Sequence, residues 1–223
     1  MILTIDSLLS EDDLARVKGL LDAVDFIDGR KTAGWHAKLV KANEQSDGRN
    51  PKTQEARDLV TTALRKNITF ALAVMPQSIR PVLFSRYREG MSYGTHIDDP
   101  IMGRDQLERS DVSLTVFLNA PEDYDGGELV MEMGGRDVAF KLPAGSAVFY
   151  PSTTLHRVAE VTRGRRDVAV TWVQSVVRSA EQREILYDID QVRRALFRDK
   201  GKDRDFDLLT KAHANLLRLW SEV

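Results

Sequence analysis

The chain has four histidines, at positions 36, 96, 156 and 213, and no cysteine. Without thiols there are no disulfides, thiolate metal sites or cysteine nucleophiles, so metal chemistry must use His, Asp and Glu. Only His96 has an acid at ligand spacing. His96-Ile97-Asp98 sets an imidazole and a carboxylate two positions apart, which on an extended segment puts both on one face. Alone, a His-x-Asp pair is a weak signal. His156 strengthens it, because it follows a strand-like run ending at Tyr150 and Pro151 and can supply a third ligand from a neighbouring strand. Two His and one carboxylate occupy one face of an octahedral Fe(II) and leave the other open, a geometry suited to activating oxygen. Ten residues after His156 comes Arg166, near the start of another strand-like run. Antiparallel neighbours would bring its guanidinium back toward the metal region, where a fork of donors suits a carboxylate.

Other residues have plainer readings. His36 lies in a polar stretch and His213 on a helical pattern, and both are read as structural or solvent-facing. Arg163, Arg165 and Arg166 form a basic cluster that could be read as a phosphate or nucleic-acid patch. One guanidinium suffices for a small carboxylate, so the other two are read as surface charges.

The elements that must position these groups follow from periodicity. Ser10 and Asp13 make a capping-box-like start, and Leu14, Val17, Leu20, Leu21 and Val24 recur at helical spacing. A second helix is predicted over 52–75, stopped by Pro76. Residues 28–50, polar and Gly-bearing, are too long for a simple connector and are expected to border a site. From Pro81 onward, short runs rich in Val, Phe, Tyr and Thr predict strands over 82–88, 112–118, 128–131, 137–142, 147–150, 156–158 and 167–173. Turns are expected at Asp125-Gly126-Gly127, Gly134-Gly135, Pro143-Ala144-Gly145 and Arg163-Gly164. Seven short strands with no intervening helix predict a sandwich or jelly roll. After Ser179 two closing helices are predicted, one with Ile185, Ile189, Val192 and Leu196 on its apolar face, the other with Phe206, Leu209, Ala212, Leu216 and Trp220. The division expected is a helical support region over 1–77, a β-rich core over 78–177 and a helical extension over 178–223.

Length and charge bound the rest. A chain of 223 residues holds one good-sized domain, and 32 Lys and Arg against 34 Asp and Glu create no field pulling it onto nucleic acid or anionic lipid. The N-terminal stretch has no secretory character, and no run approaches the ~20 apolar residues of a membrane span. A cytoplasmic address and no membrane or nucleic-acid partner are expected.

With His96, Asp98, His156 and Arg166 on a β-rich segment flanked by helices, the chain resembles the iron(II)/2-oxoglutarate-dependent dioxygenases. Within them it is most similar to the PKHD-type hydroxylases, the bacterial prolyl/lysyl-hydroxylase-like branch. The segments carrying the resemblance are Asp28-Gly29-Arg30 with Thr32-Ala33-Gly34, Phe84-Ser85-Arg86-Tyr87, Tyr124-Asp125-Gly126-Gly127-Glu128-Leu129, Leu142-Pro143-Ala144-Gly145, Tyr150-Pro151-Ser152 and Thr171-Trp172-Val173-Gln174-Ser175. The resemblance implies an α+β chain whose core is a double-stranded β-helix, or jelly roll, flanked by N-terminal helices and a C-terminal helical pair. It implies Fe(II) held by His96, Asp98 and His156, and 2-oxoglutarate chelating the iron, with its distal carboxylate on Arg166 helped by the Tyr87 hydroxyl. It also implies O2 as oxidant, L-ascorbate as the agent that keeps the iron reduced, and succinate and carbon dioxide as coproducts of hydroxylating an unidentified prime substrate. A homo-oligomer is compatible with it. Residues 99–110, polar and directly after the His-x-Asp pair, are expected to act as a lid. The alternatives are a non-catalytic metal-binding jelly roll serving as sensor or binding module, and a nucleic-acid demethylase on the same scaffold. A carboxylate clamp at Arg166 speaks against the first, and the near-neutral charge against the second.

Overall fold

Two antiparallel sheets face each other in the computed structural model, which describes residues 1–32, 34–103 and 105–223. Ala33 of the Thr32-Ala33-Gly34 motif and Arg104 of the expected lid lie outside the described residues. The larger sheet runs in the order Leu3–Ile5, Ala147–Pro151, Val112–Phe117, Val161–Ser175, Leu83–Arg88, Glu44–Ser46, Phe26–Asp28. Tyr124–Gly126 and Pro76–Ile79 also pair with the long Val161–Ser175 strand. The smaller sheet runs Arg136–Phe140, Leu129–Met133, His156–Val158, Ser92–His96, Lys41–Ala42. This is the predicted jelly roll.

The strand period of two sorts side chains between two cores. Along Val112–Phe117, Val112, Leu114 and Val116 pack with the helices, while Ser113 and Thr115 face the cavity between the sheets. The helical core joins α1 (Glu11–Asp22), α2 (Pro51–Lys66) and α3 (Ile68–Val74) to the outer face of the larger sheet through Val17, Leu21, Val60, Leu64, Phe70, Phe84 and Phe149. Each such side chain, fully buried, contributes roughly 1.5–3 kcal/mol. Between the sheets, Leu129, Met131 and Val158 of the smaller meet Tyr87, Phe117, Val148, Tyr150 and Val168 of the larger.

Besides strands that were not expected, among them Leu3–Ile5, Phe26–Asp28, Pro76–Ile79 and the His96-bearing Ser92–His96, sequence and structure differ in four places with a local cause. The single helix expected over 52–75 is two, because Asn67 takes an extended conformation, ends α2 and caps α3 by accepting from the Phe70 amide. A short amide side chain that competes for backbone donors outweighs the continuous apolar stripe there. Residues 28–50 contain the strands Lys41–Ala42 and Glu44–Ser46, too short and polar to register as periodicity. Gly164 lies inside the long strand rather than at a turn, at φ 78°, with Asp123 O so near that a Cβ would approach it to 2.2 Å. There the strand passes from pairing with Tyr124–Gly126 to pairing with Leu83–Arg88.

The fourth difference is at the C-terminus. The hairpin of α4 (Ala180–Lys200) and α5 (Arg204–Trp220) is present, but the expected apolar face of α4 is not the buried one. Ile185 and Val192 are 45% and 59% exposed, whereas Arg183, Leu186 and Asp190 are buried. Polar groups are tolerated inside because they are paired: Arg183 Nη1 donates to the carbonyls of Val177 and Arg178 at 2.8 and 2.9 Å, and Arg194 Nε donates to Asp190 at 2.5 Å.

Candidate active site

The smaller sheet brings two of the four histidines face to face. His156 and His96 are register partners on adjacent strands, with ring centroids 4.2 Å apart. Asp98 follows two residues beyond its strand, its Oδ2 3.9 Å from His156 Nε2. One ligand atom from each of His96, Asp98 and His156 lies within 4.8 Å of the others, and all three side chains are buried. His36 and His213 take no part, and among the described residues this is the one such group.

Both imidazoles are presented in the same way. His96 Nδ1 lies 2.8 Å from Gly94 O, and His156 Nδ1 lies 3.0 Å from Thr154 O. A carbonyl only accepts, so Nδ1 carries the proton and Nε2 keeps a free lone pair toward Asp98. Burial, together with the neighbouring His156, pulls the His96 pKa down to about 4, so the ring is neutral at pH 7 and in the state that binds a metal. Tyr93 stacks on His96 at 3.6 Å between centroids and fixes its plane. Ser113 Oγ donates to Asp98 Oδ2 at 2.5 Å and is itself 2.8 Å from Ser152 Oγ. These donors and their supports fit a hard or borderline divalent ion with open positions.

The triad sits in the wall of a cavity of about 580 Å³, with Arg166 at its inner end. Arg166 is only 1% exposed, and its Nε and Nη1 find no hydrogen-bond partner in the protein. Its Cζ lies 5.0 Å from the ring centroid of Tyr87 and 5.6 Å from that of Phe117. Tyr87 is its register partner on the next strand and is buried in the same cavity. A buried cation with orphaned donors is costly unless an anion meets it, so the pocket fits the carboxylate of a bound molecule. Arg163 pairs with Asp125 at 2.7 Å at the surface, and Arg165 pairs with the exposed Asp22 and the buried Asp167, each at 3.1 Å. The basic cluster of the sequence is therefore one guanidinium turned into the cavity and two that are paired with carboxylates.

Residues 82–174 match the 2OG-Fe(II) oxygenase superfamily, and residues 181–222 match the PKHD-type hydroxylase C-terminal domain. A PKHD-type hydroxylase of Acaryochloris marina is 54% identical over 222 residues, covering all of both chains, and one of Crocosphaera subtropica is 51% identical over the same span. The chain belongs to the PKHD-type hydroxylases. It is an iron(II)/2-oxoglutarate-dependent hydroxylase, and the family implies Fe(II) and 2-oxoglutarate as its cofactor and cosubstrate. Solved structures share the fold. A Trichoplax adhaerens prolyl hydroxylase, in complex with a hypoxia inducible factor peptide fragment, superposes with a TM-score of 0.60 at 17% identity, covering 83% of this chain and 86% of that one. A viral collagen prolyl hydroxylase from Paramecium Bursaria Chlorella virus-1, in a 2OG complex, gives 0.53 at 22% identity, covering 78% and 96%.

Several residues of this PKHD-type site were not singled out from the sequence. Ser113 and Thr115 had a legible signal, being polar at the inward positions of an otherwise apolar strand. Lys41, Asn43 and Gln45 lie in the polar stretch 28–50 expected to border a site, but nothing in the sequence singled them out within it, because they reach the cavity through sheet pairing.

Proposed function

We propose that His96, Asp98 and His156 hold Fe(II), and that Arg166 receives the distal carboxylate of 2-oxoglutarate with the Tyr87 hydroxyl beside it. The observation that carries this reading is Arg166 itself, fully buried with two orphaned donors in the cavity that also contains the triad. Iron bound there would supply oxygen activation, with one oxygen atom leaving in succinate, formed with carbon dioxide from 2-oxoglutarate, and the other entering the prime substrate as a hydroxyl.

The chain's own residues supply the rest. The carbonyls of Gly94 and Thr154 hold the imidazole protons on Nδ1, and Ser113 holds Asp98 in one orientation. Burial raises the pKa of the Tyr87 hydroxyl, so it stays a hydrogen-bond donor to an anionic cosubstrate. Leu129, Val158 and Val168 give the cavity an apolar lining that disfavours water around the reacting groups. The chemistry is assigned to residues 78–177, supported by 1–77 and 178–223, with L-ascorbate as the reductant. The cellular address proposed is cytoplasmic; no helix among the described residues is long and apolar enough to cross a membrane.

The test is anaerobic titration of the Fe(II) protein with 2-oxoglutarate, followed by the visible charge-transfer band of the chelate, and then succinate release on admitting oxygen. His96→Ala, Asp98→Ala and His156→Ala are expected to lose most of the iron. Arg166→Ala should keep the iron and bind 2-oxoglutarate roughly a hundredfold to several-thousandfold more weakly, since breaking a buried charge pair costs ~3–5 kcal/mol. Arg163→Ala and Arg165→Ala serve as controls and should titrate like wild type. Wild-type titration by Arg166→Ala would reject the clamp.

A further inference from the structure

Lys41 is a second buried cation in the same cavity, and the proposed reaction leaves it unused. It is 8% exposed, lines the cavity, and no carboxylate among the described residues lies within 4.0 Å of its ammonium. Its hydrogen bond is to Thr32 Oγ1 at 3.2 Å, a hydroxyl that lies 2.5 Å from Gln45 Oε1. The ammonium sits 5.1 Å from the Tyr93 ring centroid, and Tyr93 stacks on His96, so one aromatic ring separates Lys41 from the triad. A buried lysine commonly has a carboxylate partner or an anionic ligand to offset its desolvation.

Resting on the reading above, we infer that Lys41 binds a carboxylate of the prime substrate and so selects an acid as the molecule to be hydroxylated. Charge supports the assignment. A divalent ion is only partly offset by Asp98, and a doubly charged cosubstrate is matched by that ion and Arg166, so the enclosed groups still lack one negative charge. Position supports it too, because the Lys41 ammonium lies over the Tyr93 ring that stacks on His96, whereas Arg166, proposed for the cosubstrate's distal carboxylate, lies over Tyr87 and Phe117. Ile97 and Ile101 line the cavity and are exposed, as are Trp35 and Leu39 in the segment that supplies the lining residues Gly34 and Ala37. They favour an acid with an apolar body.

The test uses protein loaded anaerobically with Fe(II) and saturated with 2-oxoglutarate, so that Arg166 is already engaged. Hexanoate and hexanamide, matched in shape and differing in charge, are titrated calorimetrically. Wild type should bind hexanoate at least tenfold more tightly than the amide, Lys41→Met should abolish the preference, and Lys41→Arg should keep most of it. A blocked leucine-glutamate-leucine tripeptide, whose one carboxylate is a side chain, separates the two sources of an acid: tighter binding than hexanoate identifies an acidic peptide, weaker binding a small free acid. Equal or undetectable binding of acid and amide to wild type overturns the inference, as does an unchanged preference in Lys41→Met. The charge-transfer titration with 2-oxoglutarate keeps the two readings apart. If Lys41→Met weakens it more than threefold, the lysine serves the cosubstrate and the inference falls. If Arg166→Ala leaves it unchanged, the underlying reading falls instead.

Discussion

Ser113 and Lys41 show how one side chain sets the properties of the site. The Ser113 hydroxyl, 2.5 Å from Asp98 Oδ2, removes one rotational freedom from the one carboxylate of the triad. Supports of this kind are typically worth 10–100-fold in metal affinity. Ser113→Ala should therefore weaken iron binding about tenfold or more while leaving the fold intact, as read by competition with a colorimetric chelator; unchanged affinity would remove Ser113 from the site. Lys41 carries a stability cost in the free protein. Burial pulls its pKa down to about 8 from the ordinary 10.5, so between these values the unfolded chain binds more protons than the folded one. The penalty is complete below pH 8 and fades as pH rises toward 10.5. Lys41→Met should accordingly be more stable than wild type at pH 7, by about 1–3 kcal/mol, and the advantage should shrink by pH 10. Urea unfolding at both pH values checks this, and a gap independent of pH would contradict it.

At the scale of elements, the segment after the triad is a small hairpin, Ile101–Met102 paired with Glu108–Arg109, whose Ile101, Met102 and Gly103 line the cavity. Its ends are tied down. Glu108 pairs with Arg80, and Arg109 pairs with Asp111 at 2.7 Å and with Glu222 of the C-terminal tail at 3.0 Å. Ser110 N donates to Pro100 O at 3.0 Å, closing the base of the hairpin. We propose this hairpin as the lid over the site, pivoting on those anchors. Fe(II) and 2-oxoglutarate together should slow limited proteolysis within residues 99–110 at least severalfold; equal cleavage with and without them would argue for a static rim.

For the whole molecule, the site is spread over the chain. The two histidines of the triad come from the strands Ser92–His96 and His156–Val158 of the smaller sheet, Arg166 belongs to the larger sheet, and Lys41 to the smaller sheet's strand that follows α1. Only the folded state assembles them, so ligands that bind the native form alone stabilise it by mass action. Iron or 2-oxoglutarate at 100 times its dissociation constant adds about 2.7 kcal/mol. In a chain of this size that raises Tm by roughly 5–10 °C. A calorimetric scan of His96→Ala should show little of this shift. A shift equal to that of wild type would place the metal elsewhere. The C-terminal hairpin belongs to the same cooperative unit, since Leu186 of α4 is buried and Tyr187 packs against the helical core.

The sequence alone determined what depends on local pattern and on residue type. The absence of cysteine restricted the metal donors, two-residue spacing put His96 and Asp98 together, and alternating apolar runs between glycine turns required an antiparallel β core. These signals survive because each is a property of a few neighbouring residues and of one hydrophobic period. Where competing local preferences met, periodicity misled. Asn67 broke a continuous apolar stripe, and Arg183, bonded to backbone carbonyls, and ion-paired Asp190 are buried on α4 while Ile185 and Val192 of the expected apolar face are exposed. Tertiary structure decided the rest. The polar stretch 28–50 is expected to border a site, but nothing in it singles out Lys41; its strand pairs with Ser92–His96 across about fifty residues of sequence, and that pairing carries the ammonium to the triad. Likewise, three neighbouring arginines are alike in sequence, and strand alternation within a closed pair of sheets sends Arg166 inward while Arg163 and Arg165 pair with carboxylates.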